Sequence, residues 1–260
     1  MTNDYGSNAL IPVRVKLSKW FLTGLGQSLV QTEREHISQV LPDLFGYHIL
    51  QVGSLEGTDY LTGTRISHRV TLLIDETETS VSDCGIHCSC KSLPVASDSM
   101  DVVVLPHILE FESNPHQVLR EIERILIGEG CVVIIGFNPW SLWGLWRLLL
   151  RWWDTAPWCG RFIGMARIKD WLSLLDFETV TTESFYYRPP LNRKNLMDKL
   201  TFMEKLGHFC CPYLGGAYMI VARKRVIPLT PVKMQWSARR SMITSDVAEP
   251  STRKVMESNG

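Results

Sequence analysis

Residues 51–57, Gln51-Val52-Gly53-Ser54-Leu55-Glu56-Gly57, form a glycine-bearing turn directly after a short apolar run beginning at Tyr47. When a buried strand ends in such a turn, glycine lets the backbone approach a nucleotide-like ligand lying across the strand's carboxyl end. Cys84, His87, Cys88 and Cys90 crowd a second stretch, but the spacing C-x-x-H-C-x-C lacks the paired C-x-x-C knuckles of structural zinc. These cysteines read as small apolar residues at the edge of a ligand site, not as metal ligands. Asn138-Pro139-Trp140 follows the run CVVIIGF and reads as a helix start, with Asn138 as cap and Pro139 in the first position.

These residues need elements to hold them. Leu17, Trp20, Phe21, Leu25, Leu29, Ile37, Val40 and Leu41 follow helical spacing, closed by Pro42. The spacing also predicts a helix over 58–66, between strands at 47–53 and Val70–Asp75. Asp101–Leu105 (DVVVL) and Cys131–Phe137 (CVVIIGF) are apolar throughout, as strands buried on both faces are. Between them Asn114 caps a helix with Pro115 in its first turn. Val118, Leu119, Ile122, Ile125 and Leu126 form its apolar face, and Gly128 and Gly130 are expected to end it. Ile168–Leu175 reads as helix, and Glu178–Thr182 and Ala217–Arg223 as strands. Apolar strands alternating with amphipathic helices predict an α/β fold with a mostly parallel sheet.

From residue 45 to about 137 the order of features resembles the class I S-adenosylmethionine-dependent methyltransferases. The resemblance is carried by the loop at 51–57, by Leu93-Pro-Val-Ala-Ser-Asp-Ser-Met-Asp101, by His107-Ile-Leu-Glu110 and by Pro115 through Gly130. Gly136-Phe-Asn-Pro-Trp-Ser-Leu-Trp-Gly144, Tyr187-Arg-Pro-Pro190 and Pro212-Tyr-Leu-Gly-Gly-Ala-Tyr218 are similar to a bacterial YafS-like branch. The resemblance implies a Rossmann-like, seven-stranded sheet with helices on both faces. Together with the helical spacing before residue 44 and the polar, aperiodic composition after 232, it divides the chain into an N-terminal helical segment 1–44, a methyltransferase-like domain 45–232, and a disordered basic tail 233–260.

S-adenosylmethionine is the cofactor implied, with Gln51, Gly53, Ser54, Gly57, Asp75, Ser89, Cys90 and Leu105 around it. Asp75, ending the second strand, is placed to bond the ribose hydroxyls. Three positions depart from the family pattern. Gln51 stands where an acid is usual, Leu55 replaces the middle glycine, and Ser89 falls where an acid usually meets the adenine amino group. Neutral hydrogen bonds there are weaker than charge-assisted ones, at about 1 kcal/mol each. A degenerate site serving as a binding or regulatory module is therefore the alternative to catalysis. For transfer itself, position in line with the sulfonium supplies much of the rate, and a base is needed only by a protonated acceptor. His107 is the base candidate, with Glu110, Tyr186 and Tyr187 secondary. Asn138, Trp140, Trp143 and Tyr187 are the candidate acceptor contacts.

Twenty-seven basic residues balance 27 acidic ones, which argues against nucleic acid as the main partner. An odd number of cysteines, seven, excludes a disulfide framework in which every thiol is paired. No apolar run of membrane-spanning length and no signal-peptide pattern is seen, so the expected location is the cytoplasm. Six of the nine tryptophans lie between Trp140 and Trp158. That segment has three open readings: a helix packed on the sheet, a lid over a small or lipid-like acceptor, or a peripheral membrane contact through 140–153.

Overall fold

The computed structural model describes residues 11–54, 58–74, 86–150, 157–190 and 213–226. Two helices come first, α1 (Ile11–Phe21) and α2 (Gly24–Val40), with Thr23 Oγ1 accepting from Gly26 N–H to cap the second. A single 3-10 turn at Leu41–Asp43 brings the chain to the sheet.

Seven strands follow: β1 (His48–Val52), β2 (His68–Leu73), β3 (Ile86–His87), β4 (Met100–Pro106), β5 (Leu126–Phe137), β6 (Phe177–Phe185) and β7 (Ala217–Lys224). They lie in the order β3-β2-β1-β4-β5-β7-β6. β1 to β5 run parallel, and β7 lies antiparallel between β5 and β6. The fold is the α/β class I methyltransferase arrangement implied by the sequence.

Strand alternation divides the core into two layers. Val102, Val104, Val133, Ile135, Met219 and Val221 point toward α1 and α2, joining Leu17, Leu25, Leu29 and Ile37. Their neighbours Val103, Leu105, Val132, Ile134 and Ile220 point the other way, against Val118, Leu119 and Ile122 of α3 (Pro115–Ile125) and Ile168 and Leu172 of α5 (Met165–Leu174). Helices therefore cover both faces, and strands buried twice over must be apolar at every position.

α3 begins as its sequence demands, with Asn114 Oδ1 accepting from Gln117 N–H and Pro115 in the first turn. Its end differs from expectation. Gly128 and Gly130 do not terminate the helix; Leu126 turns extended at once and opens β5, which contains both glycines. Lys224 Nζ replaces a glycine cap, donating to the carbonyls of Glu123 and Leu126 at 2.7 and 2.9 Å.

Residues 58–66 do not form the expected helix. Their side chains satisfy the backbone locally instead: Asp59 Oδ1 accepts from Leu61 N–H, Thr64 Oγ1 accepts from Ile66 N–H, and Gly63 takes φ +96°. Tyr60, Leu61 and Ile66 still enter the α1–α2 layer of the core.

The segment after β5 is also corrected. Asn138 does not cap a helix. α4 (Leu142–Leu150) starts four residues later, and Ser141 Oγ accepts from Gly144 N–H at 3.3 Å. The expected basic tail at 233–260 lies outside the described residues.

Candidate active site at the carboxyl end of the sheet

β1 ends in the turn expected to meet the cofactor. Gly53 takes φ +81°, and a Cβ there would lie 2.6 Å from Ile108 Cδ1 and 3.1 Å from Ile74 Cδ1. Both the backbone angle and the space require glycine. A guanidinium nitrogen of Arg14, a buried residue of α1, lies 3.3 Å from the same point. Ser54 is fully buried beside it.

Gln51 has a different task from the one expected. Its side-chain amide donates to the carbonyls of Gly53 at 3.0 Å and Thr58 at 2.9 Å, and its Oε1 accepts from Tyr60 N–H at 3.0 Å. Both amide protons are spent inside the protein. Gln51 braces the loop that a cofactor would meet, and a carboxylate could not, having no protons to give those two carbonyls.

His107 follows β4 and lies fully buried at φ +49°. Its Nε2 contacts Glu33 Oε1 at 2.8 Å and its Nδ1 contacts Glu110 Oε2 at 3.2 Å. Glu33 Oε2 also accepts from the Tyr60 hydroxyl at 2.6 Å, and Glu110 Oε1 accepts from Phe137 N–H. The network thus ties α2, the 58–66 segment, the turn after β4 and the end of β5. Burial alone would lower the imidazole pKa, but the charges of Glu33 and Glu110 and their hydrogen bonds outweigh it and raise it from 6.5 to about 10. Burial first, and then Glu33, push the Tyr60 phenol well above its ordinary value.

This geometry corrects the role expected of His107. An imidazolium donating through both nitrogens has no lone pair for an incoming proton, and no solvent reaches it. It is a buried cation between two carboxylates. Of the secondary candidates, Glu110 belongs to the same network. Tyr186 and Tyr187 are buried, and the Tyr187 hydroxyl donates to Ser184 O at 3.2 Å.

The remaining cofactor candidates scatter. Leu105 is fully buried among the residues packed on α3. Ser89 is exposed, its hydroxyl accepting from Lys91 N–H at 3.3 Å, and Cys90 beside it is buried. Gly57 and Asp75 lie outside the described residues. Among the described residues no group of three or more His, Cys, Asp or Glu side chains is placed to hold a metal ion.

A groove of about 780 Å³ opens at the end of β5, on the sheet edge where β1 and β4 also end. Pro139, Trp140, Phe162, Met165 and Leu214 give it apolar walls, and Arg167, Lys169 and Asp170 give it charge. Asn138 and Trp140, two of the four acceptor candidates, line it. Asn138 also holds its shape: Nδ2 donates to Tyr213 O at 2.7 Å and Gly215 O at 3.0 Å, and Oδ1 accepts from Trp140 N–H. Trp143 and Tyr187 lie elsewhere. Trp143 is core, stacked on Phe137 with centroids 5.7 Å apart, its indole N–H donating to Arg188 O at 2.8 Å.

Arg14, Glu33 and Tyr60 were not singled out by sequence reasoning. Glu33 had a readable signal, since it falls at i+4 from Leu29 and i−4 from Ile37, a carboxylate on the apolar stripe of α2. Arg14 carries a weaker one, as a charge inside the apolar start IPVRV of α1.

S-adenosylmethionine, the cofactor expected of this fold family, pairs a carboxylate with a sulfonium and a nucleoside. The end of β1 fits that chemistry: a glycine at positive φ, a buried hydroxyl and a buried guanidinium stand where backbone and cations meet a carboxylate. Arg14, Gly53 and Ser54 are the described residues suited to hold it.

Comparison with known proteins agrees with the fold. Residues 52–134 match the family model described as a methyltransferase domain. An uncharacterized protein of Escherichia coli, YafS, is 35% identical over 204 residues, covering 78% of this chain and 79% of its own. A SAM-dependent methyltransferase from Thermotoga maritima superposes with a TM-score of 0.62 at 14% identity, over 83% of this chain and 100% of that one. Another from Archaeoglobus fulgidus gives 0.53 at 16% identity, over 75% and 94%.

Proposed function

Because this chain belongs to the class I S-adenosylmethionine-dependent methyltransferases, in a branch shared with YafS, we propose that it transfers the cofactor's methyl group to a small or lipid-like acceptor held in the groove at the end of β5. The cofactor supplies an electrophilic methyl on a sulfonium with a good leaving group. The protein's own residues bind, orient and exclude water. Arg14 and Ser54 fix the carboxylate end, and Gln51 holds the loop carbonyls inward. Asn138 keeps the groove open between β5 and the segment before β7. The observation that carries this reading is the groove itself: apolar walls with two basic residues, on the sheet edge where the glycine turn lies.

No described side chain of the network is available as a base, so the reading favours an acceptor that needs no proton removed by the enzyme. The test is calorimetric titration of S-adenosylmethionine and S-adenosylhomocysteine, followed by methyl transfer from labelled cofactor into lipid extracts and metabolite pools. Micromolar binding with label entering one pool supports the proposal. Binding with no label in any pool sinks it.

The second reading is a binding or regulatory module that has lost catalysis. It is favoured by Gln51, whose amide is consumed in bracing the loop, and by His107, held as a cation. Absence of cofactor binding at millimolar concentration selects it.

A further inference from the structure

α4 presents an unusual outer face. Trp143 and Ser141 point inward and are buried, while Leu142, Leu145, Trp146, Leu148 and Leu149 are exposed. Beside them Trp140 is 80% exposed and Tyr213 is 74% exposed, and both line the groove together with Leu214. Four exposed leucines and a tryptophan gathered on one helix are not the ordinary surface of a monomer.

The charge around this face points to what covers it. From Asn138 to Leu149 the sequence has no acidic residue, and its one arginine, Arg147, lies over the Phe162 ring with Nε donating to Trp158 O at 3.3 Å. Arg167 and Lys169 stand on the same groove as Trp140 and Tyr213, against a single acid, Asp170. A symmetric pairing of two copies through this face would bring basic residues of each against the other. A bilayer with anionic headgroups fits better: leucines enter the acyl boundary, Trp and Tyr sit at headgroup level, and Arg and Lys meet phosphate. No described helix is long and apolar enough to cross a membrane.

We propose that α4, with Trp140 and the Tyr213–Leu214 segment, seats this protein on an anionic lipid surface, with the groove opening toward the headgroups. Seating rests on no catalytic step, so its failure and the failure of methyl transfer are separately visible.

The experiment is flotation of the full chain with phosphatidylcholine vesicles and with vesicles that also contain phosphatidylglycerol. Three proteins are compared: wild type, Leu145→Glu/Leu149→Glu, and Arg167→Glu/Lys169→Glu. Leu145, Leu149 and Arg167 are exposed and Lys169 is half-buried, and circular dichroism checks that both variants fold. Wild type is expected to float with the anionic vesicles. The leucine variant should partition roughly tenfold or more weaker, and the basic variant should lose its preference for phosphatidylglycerol. Wild type remaining in solution, or floating no better than the folded leucine variant, overturns the proposal. So does sedimentation equilibrium showing a dimer that the leucine variant breaks, because a second copy is then the occupant.

Discussion

His107 Nε2 and Glu33 Oε1 meet at 2.8 Å, both side chains without solvent exposure, across 74 residues of sequence. The contact fastens α2 to the turn after β4. Removing one partner of a buried ion pair leaves the other charge uncompensated, which typically costs about 3–5 kcal/mol. Glu33→Ala is expected to lose stability in that range, read by denaturant unfolding. A loss under about 1 kcal/mol would mean the network does not hold the fold.

The same pair sets a pH dependence. His107 titrates at about 10 in the folded protein against 6.5 ordinarily. Its stabilisation is therefore complete below about pH 6.5, declines between the two values, and is gone above about 10. Melting temperature should fall from pH 6.5 toward 9.5, and a folded His107→Gln variant should show a flatter slope. A wild-type curve flat over that window contradicts a raised imidazole pKa.

Gln51→Glu restores the acid usual in the family, yet it is expected to weaken the protein. A carboxylate would face the carbonyls of Gly53 and Thr58 in place of two N–H donors. The cost is about 1–3 kcal/mol, with no gain in affinity for S-adenosylmethionine. Calorimetry showing clearly tighter cofactor binding would refute the bracing role.

Arg14 should read the carboxylate of the cofactor. Arg14→Leu is expected to weaken S-adenosylhomocysteine by roughly tenfold to a hundredfold, the worth of a charged hydrogen bond. Methylthioadenosine, which lacks that carboxylate, should bind both proteins alike. Equal losses for both ligands would place Arg14 in the fold and not in recognition.

Trp140 and Trp143, three residues apart, should separate cleanly. Trp143→Ala empties a core position and is expected to cost about 3–5 kcal/mol. Trp140→Ala, 80% exposed, should stay within about 0.5 kcal/mol and act on acceptor or lipid binding. Thermal melts of the two variants check this directly.

Much of the scaffold could be read from residues. DVVVL and CVVIIGF announced strands covered on both sides, and Asn114-Pro115 announced a helix start, because each signal is local. The 58–66 segment misled because its leucine and isoleucine suit a helix, whereas Asp59 and Thr64 capture the backbone N–H groups first. Asn138 carried a cap's composition, but its partners, Tyr213 O and Gly215 O, stand 75 and 77 positions away. His107 misled for the same reason: position suggested a base, and carboxylates from α2 and from Glu110 decided its charge. Glu33 was legible, since an acid on an apolar helical stripe calls for a buried partner.

The reach of the Glu33 contact also bears on how the chain is made. α2 leaves the ribosome carrying a carboxylate on its apolar stripe, while His107, Phe137 and the strands that cover it are still untranslated. At roughly 5–20 residues per second the wait lasts seconds. Through that interval the apolar stripe of the nascent helix pair waits without the strands that will bury it. Synonymous codons that slow translation between α2 and β5 would lengthen its exposure without altering a single residue.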